Sequence, residues 1–335
     1  MRGLFLMVLS MSGTASLVIL LVLFLRLFLR KAPRVFSYAL WAAVLFRLLC
    51  PITFVSPVGI IPSGMPVLLE RRLEVTDRLR VADHLGAPDS SGAANISSNP
   101  DTLVVAEQAA DTGGITDSLE GRAAQSATSP AGLLAIATAV WLCGATGLLL
   151  YSLISLLQLQ RRLLGATPLA GERQVWLADH ISSPFVLGLF RPRIFLPSDL
   201  PKEEREYILF HERTHIRRLD PCLRALAWLA VVIHWFNPLV WLAFYLAGRD
   251  MEISCDEAVL RNIGRDIRAD YSSTLLRLST GKRLPIGPLA FGDSRLQSRI
   301  KHVLHYKKPA LWVINLALIT VLAAGTALAT DRNAK

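Results

Sequence analysis

The sequence predicts a mainly α, polytopic membrane protein, with four transmembrane helices and a cytoplasmic α+β domain between the third and the fourth. Three observations carry that expectation. Hydrophobic residues make up 52% of the 335 and charged residues 19%, a balance that argues against a freely diffusing enzyme. Four apolar runs are long enough to be weighed against the roughly 20 residues that a helix needs to cross a bilayer core. The stretch between the last two runs is charged and holds a dense cluster of His and carboxylate residues. The formal net charge of +10 would suit a nucleic-acid partner if it formed a basic stripe on a folded surface. Here the basic residues flank apolar runs instead, so no direct nucleic-acid contact is expected. Cys50, Cys143, Cys222 and Cys255 have no CxxC spacing and read as packing residues, not as a disulfide framework or a thiolate metal site.

The first run, Leu4 to Leu29, is too long for a secretory leader and is followed, not preceded, by its basic cluster. It is therefore expected to stay in the mature chain. The second runs from Phe36 to Val55, and Arg26, Arg30, Lys31 and Arg34 between the two place that turn inside, because positive charge is retained on the cytoplasmic face. These spans make up residues 1–57. Residues 58–130 form an outer loop; from Ser56 to Pro130 five basic residues face ten acidic ones among many Ser, Gly and Asn, a composition of flexible polar chain. The third span, Ala131 to Leu157, is met by Arg161 and Arg162, and the fourth, Ala310 to Ala329, is preceded by Lys301, Lys307 and Lys308. Residues 158–309 are thus expected in the cytoplasm, residues 310–330 as the last helix, and both termini outside. Arg47 inside the second span is costly in lipid and is expected to snorkel or to pair within the bundle, with a signalling switch as the alternative.

The inner segment carries the chemistry. Glu203 to Leu219, EEREYILFHERTHIRRL, has helical periodicity, with Asp199 as the expected cap and Pro201 in the first turn. It contains HExxH. At about 100° per residue His211 and His215 fall about 40° apart, aligned with Ile208 and Leu219, while Glu206, Arg213 and Arg217 face the other way. Two such imidazoles can each bring a nitrogen to about 2.0–2.1 Å from one zinc ion, and Glu212 beside the first can act on water as general base. The motif is short enough to arise by chance, so a second acidic element matters. A catalytic zinc takes a third protein ligand, and RDMEISCDEAVLRNIG downstream projects as a helix with Glu252 and Asp256 on the stripe of Ile253, Val259, Leu260 and Ile263. Glu257 and Arg261 are expected on its solvated face. Carboxylates on an apolar stripe are expensive unless compensated; zinc on Glu252, with Asp256 accepting the free N–H of a ligating imidazole, compensates both.

Between these elements lies an apolar stretch, residues 222–247, long enough for a further span. One crossing would put HExxH and Glu252 on opposite faces of the membrane, and Asn237-Pro238 divides the stretch into pieces too short to span. A hairpin, buried or dipped into the inner leaflet, is expected. His234 at its tip is either a transition-state or substrate contact or a hydrogen-bonded packing histidine. His180, His302 and His305 lack a ligand-spaced partner and read as ordinary polar residues, and Trp235 to Trp241 as an interfacial aromatic belt. Upstream, Gln174 to Ala178, Pro184 to Gly188 and Arg193 to Pro197 have strand-like content and predict a small sheet, whose edge could hold an extended peptide over the metal.

HERTHIRRLDP, HWFNPLVW and EISCDEAVL in this order, preceded by SPFVLGLFRPRIFLP and the early YALWAAVLFRLLCP, resemble the membrane zinc peptidases of the beta-lactam sensor-transducer type, the BlaR/MecR antirepressor family. The resemblance covers essentially the whole membrane and protease part. It implies a gluzincin-type zinc metalloendopeptidase in the bacterial cytoplasmic membrane, acting in signal transduction by regulated proteolysis. It further implies His211, His215 and Glu252 as zinc ligands, Glu212 as catalytic base and Asp256 as partner of a ligating imidazole. A cytoplasmic transcriptional repressor is the implied protein substrate, and the chain's own segment Ser279 to Asp293 a second one. Members sense the antibiotic through a C-terminal penicillin-binding domain. No such acylation domain is expected in this sequence, so the signal is expected to come from the outer loop or a separate sensor partner; a homodimer is compatible with everything above. A constitutive quality-control protease and a non-proteolytic scaffold with a structural zinc remain alternatives, whereas a transporter is disfavoured for want of broken helices in matching halves.

Overall fold

The computed structural model describes residues 2–50, 54–56, 61–62, 130–172, 174–179, 181, 183–263, 266–280 and 293–332. The chain divides into two compact units, one of residues 1–6 and 64–140, the other of residues 7–63 and 141–335. In the first, the described residues are the helical segments 2–6 and 130–140; the second holds all the other described residues. Most of the expected outer loop, the segment 281–292 and His180 lie outside the described residues.

Helix α1, Arg2–Phe28, continues into a single 3-10 turn, Leu29–Lys31. Pro33, with φ fixed near its ring-imposed value, then opens α2, Arg34–Leu49. This helix stops short of the expected Val55. The reason is local: Cys50 precedes Pro51, and a residue before proline is driven out of the helical region, here to φ −103 and ψ 110. Its 16 residues extend about 24 Å, less than the roughly 30 Å of a bilayer core. Among the described residues three helices are long and apolar enough to cross a membrane: Gly3–Lys31, Gly132–Arg162 within α3 (Pro130–Arg162), and Leu311–Leu328 within α9 (Leu311–Ala329).

A small sheet follows α3, built from β3 (Thr167–Pro168), β4 (Val175–Ala178), β5 (Phe185–Leu187) and β6 (Arg193–Pro197) in the order β3-β4-β6-β5. β4 and β6 run parallel, and β5 pairs antiparallel with β6, which leaves β5 as an edge. Val175, Ile194 and Leu196 pack on Ile208 and Leu209 of α4 (Lys202–Arg217). The expected Asp199 cap is absent: Pro201 occupies the N-cap position and no side chain caps the helix. A short parallel sheet joins β1 (Phe54–Ser56) and β2 (Ile61–Pro62) to β7 (Thr330–Arg332).

The apolar stretch doubles back as expected. α4 ends at a left-handed Leu219, φ 58, which turns the chain into α5, Asp220–Ile233. Asn237 then caps α6, Pro238–Asn262, by accepting from Leu239 N at 2.9 Å, and Pro238 sits at the first helical position, where its missing N–H costs nothing. α2 packs against this hairpin. Leu40, Val44 and Leu48 on one of its faces are buried with Val231, Val240, Phe244 and Ile19 of α1 in the largest core. Arg47 is buried and donates from Nε to Leu328 O at 2.9 Å, so it pairs within the bundle. α7 (Arg268–Thr280) and α8 (Asp293–Leu304) cover the far end of α6 through Tyr271, Leu275 and Val303.

Candidate metal centre

On α4 the apolar stripe of the sequence becomes a buried face bearing His211, Glu212, Thr214 and His215, while Arg213 and Arg217 are exposed. Four-residue spacing stacks the two imidazoles one turn apart, with ring centroids 4.8 Å apart and their Nε2 atoms 3.1 Å apart. The α5–α6 hairpin returns the chain to the same place. Glu252 Oε2 lies 3.5 Å from His211 Nε2 and 3.8 Å from His215 Nε2. Donors bonded at about 2.0–2.1 Å around a tetrahedral ion stand roughly 3.3 Å from one another, so the three atoms fit one small cation with only slight adjustment. Glu212 follows His211 and is also buried.

The surrounding charges favour the same occupant. Asp220, Glu212, Glu252 and Asp256 are carboxylates at the site, against Arg218, Arg224 and Arg299. Negative groups outnumber the positive ones in a buried setting, and a divalent cation offsets the excess. Protons stand in otherwise. Burial opposes charge on His215, but its contacts to Asp220, Cys255 and Glu252 outweigh burial and hold its pKa well above the usual imidazole range. His211 is raised in the same way by Asp256 and Glu252, against burial. Burial works against ionisation of Glu252 too, yet the two imidazoles and Arg299 hold its carboxyl well below the carboxylate range.

A second cluster, His215, Asp220 and Cys255, is better read as support for the first. One imidazole whose Nε2 faces a cation has Nδ1 left to donate, and His215 Nδ1 lies 2.8 Å from Asp220 Oδ2. Fixing a ligating ring through its other nitrogen is how such sites set tautomer and orientation. Sequence reasoning missed Asp220, although its place five residues after His215, across a helix break, is visible there. Asp256, expected in that role, stands 3.3 Å from His211 Nδ1. Its shorter bonds go to Tyr271 Oη at 2.7 Å and to Arg299 at 2.7 and 2.8 Å, and Tyr271 Oη is itself 3.0 Å from His211 Nδ1. Arg299 and Tyr271 come from α8 and α7, and Arg224 of α5 donates to Glu252 Oε1 at 2.8 Å; spacing along one chain segment could not reveal any of them.

One expectation is corrected. Glu257 does not lie on a solvated face: it is buried, its Oε2 accepts from Arg34 N at 2.9 Å, and its Oε1 lies 2.8 Å from His302 Nε2. His302 accordingly has a partner. His234 is fully buried with Nε2 2.9 Å from Leu48 O, at the hairpin tip. α5, about 20 Å of helix, lies between it and Asp220. The helices are also tied together near the site. Arg26 of α1 and Trp41 of α2 both donate to Asp250 at 2.7 and 2.9 Å, and Tyr38 Oη donates to Asp220 Oδ1 at 3.0 Å.

Residues 6–303 match the family described as BlaR1 peptidase M56. The chain is similar to the regulatory protein BlaR1 of Bacillus licheniformis, 32% identical over 163 residues, 44% of this chain and 26% of the relative. It is also similar to the methicillin resistance mecR1 proteins of Staphylococcus aureus and Staphylococcus epidermidis, each 28% identical over 138 residues, 38% of this chain and 24% of the relative. The chain thus spans about a quarter of the length of these curated relatives.

Proposed function

Because the chain belongs to the BlaR1 peptidase M56 family, we propose that it is a bacterial membrane zinc metalloendopeptidase of gluzincin type that transmits a signal by cutting a protein substrate. The observation that carries this reading is the convergence of His211 Nε2, His215 Nε2 and Glu252 Oε2, with Glu212 buried beside them. His211, His215 and Glu252 would hold the metal. When bound, zinc supplies Lewis acidity toward the scissile carbonyl and toward water. Glu212 takes a proton from the attacking water and delivers it to the leaving amine. Asp220 holds the His215 ring, while Asp256 and Tyr271 hold that of His211. Arg224 and Arg299 keep Glu252 ionised and aimed.

The edge strand β5 packs beside α4, which suits a substrate bound extended by main-chain hydrogen bonds. The substrate class follows from family likeness: a cytoplasmic transcriptional repressor, with the segment Ser279 to Asp293 as a second cut site. In this reading α2 is the second of four membrane helices, the outer loop spans residues 58–130, and residues 158–309 form the cytoplasmic protease domain. Dimerisation and a separate sensor partner belong to the same proposal. Glu212→Gln is expected to retain metal and helical content while losing at least about 100-fold in cleavage. Comparing protein termini in cells carrying the wild type or this variant identifies the cut. A cellular response unchanged by the substitution would favour a scaffold whose metal is structural.

A further inference from the structure

A cavity of about 350 Å³ runs between α2, α5 and α6, at the lower end of the roughly 300–1,000 Å³ typical of small-molecule sites. Its walls follow α2 from Val35 to Leu48, about 20 Å of helix at about 1.5 Å per residue. These walls outline an elongated channel that is half open to the surroundings of the bundle. One end is apolar, lined by Leu48, Ala230 and Val240. Arg218 and Arg224 line the other end beside Tyr38.

The two arginines differ. Arg224 Nη2 is engaged by Glu252 Oε1 and Met251 Sδ at 2.8 and 3.3 Å. Arg218 donates from Nη1 to Ser254 Oγ at 2.9 Å and stacks over the Tyr38 ring at 5.0 Å, but its Nη2 is buried with no hydrogen-bond partner. A buried guanidinium N–H is normally satisfied, and an anionic oxygen at the mouth would satisfy this one with a charge-assisted bond.

We propose that this channel is a binding site for one acyl chain of an anionic phospholipid, whose phosphate is held by Arg218. An elongated apolar channel ending at a guanidinium with one unpaired buried N–H matches the shape and charge of such a lipid, and the helices that form it pack with α1 and α9, both long and apolar enough to cross a membrane. None of His211, His215 and Glu252 lines the channel, and lipid retention can be read without any peptidase activity.

The full chain, purified in detergent, would be offered 1-palmitoyl-2-oleoyl phosphatidylglycerol or phosphatidylcholine of the same chains, and bound lipid counted by native mass spectrometry. The wild type is expected to retain one phosphatidylglycerol at least about tenfold in preference, the discrimination that one charge-assisted hydrogen bond provides. Arg218→Gln should lose the preference but keep acyl-chain binding, and Ala227→Phe, which fills the channel, should lose both. Ala39→Leu replaces the latter if it does not yield folded protein. Equal retention of the two lipids by the wild type, or retention unchanged in a folded channel-filled variant, overturns the proposal. So does binding of inorganic phosphate without any retained acyl chain.

Discussion

Asp220 Oδ2 and His215 Nδ1 are 2.8 Å apart, and on the proposed reading that bond decides which nitrogen of the ring is free for metal. Asp220→Asn keeps the volume but can present an N–H where an acceptor is needed. It is expected to weaken zinc binding about 10- to 100-fold, measured by competition with a chromogenic chelator, with little change in helical content. Protons compete for the same atoms. His211 and His215 are held above the usual imidazole range by their carboxylate neighbours, so metal entry must expel those protons. Apparent zinc affinity should therefore fall as pH falls, beginning above the ordinary imidazole pKa of about 6.5. The linkage for the metal-free protein has the opposite slope. Raised imidazole pKa values stabilise the fold below the unfolded value, and that contribution is lost as pH rises through the folded values. Zinc titrations and thermal melts of stripped protein at several pH values check the two signs together.

α3 meets the α5–α6 hairpin through indoles. Trp141 Nε1 donates to Ile233 O at 2.8 Å, Trp235 Nε1 to Trp141 O at 3.1 Å, and Trp228 Nε1 to Ser152 Oγ at 2.8 Å. Each indole finds an acceptor where water is scarce, as buried tryptophan requires. Gly144 permits the approach: a Cβ there would stand 2.3 Å from the Trp235 ring. Gly144→Leu should force the hairpin off α3 and cost about 1–3 kcal/mol, the usual penalty of overpacking. The check is a lower midpoint in thermal unfolding of detergent-purified protein, together with a changed tryptophan emission. Gly147 on the same helix has open space around its Cβ position, and Gly147→Leu should leave both readouts near those of the wild type.

At the scale of the molecule, α1 and α2 share contacts with the helices of the candidate metal centre. Arg26 and Trp41 converge on Asp250, Arg34 N on Glu257 and Tyr38 on Asp220, so the turn between α1 and α2 sits against the helix that carries Glu252. The proposed topology requires that turn and residues 158–309 to share the cytoplasmic side. With the native cysteines replaced, single cysteines at Lys31, Lys202 and Lys307 should all resist a membrane-impermeant maleimide in intact cells and react after permeabilisation. Labelling of any one from outside would break the four-helix arrangement.

The cluster of possible metal ligands was legible in the sequence because its donors come from two helices whose periodicity shows. HExxH at four-residue spacing and Glu252 on an apolar stripe name a ligand set without coordinates, and Asn237-Pro238 announces that the intervening stretch must fold back. The β4, β5 and β6 segments were legible for the same reason, through their strand-like composition. What remained hidden depends on which separate elements pack together. Arg299, Tyr271 and Arg224 reach the site from three other helices, and no local period encodes their meeting. Glu257 looks solvated on one helix viewed alone; α2 and α8 bury it. The length of α2 was readable in principle from Cys50-Pro51, but apolar composition runs past the proline and masked the stop. Sequence thus determined which atoms could bind a cation, since that follows from residue type and local spacing. Tertiary packing decided what orients and neutralises them, because burial and charge pairing are properties of neighbours far apart in the chain.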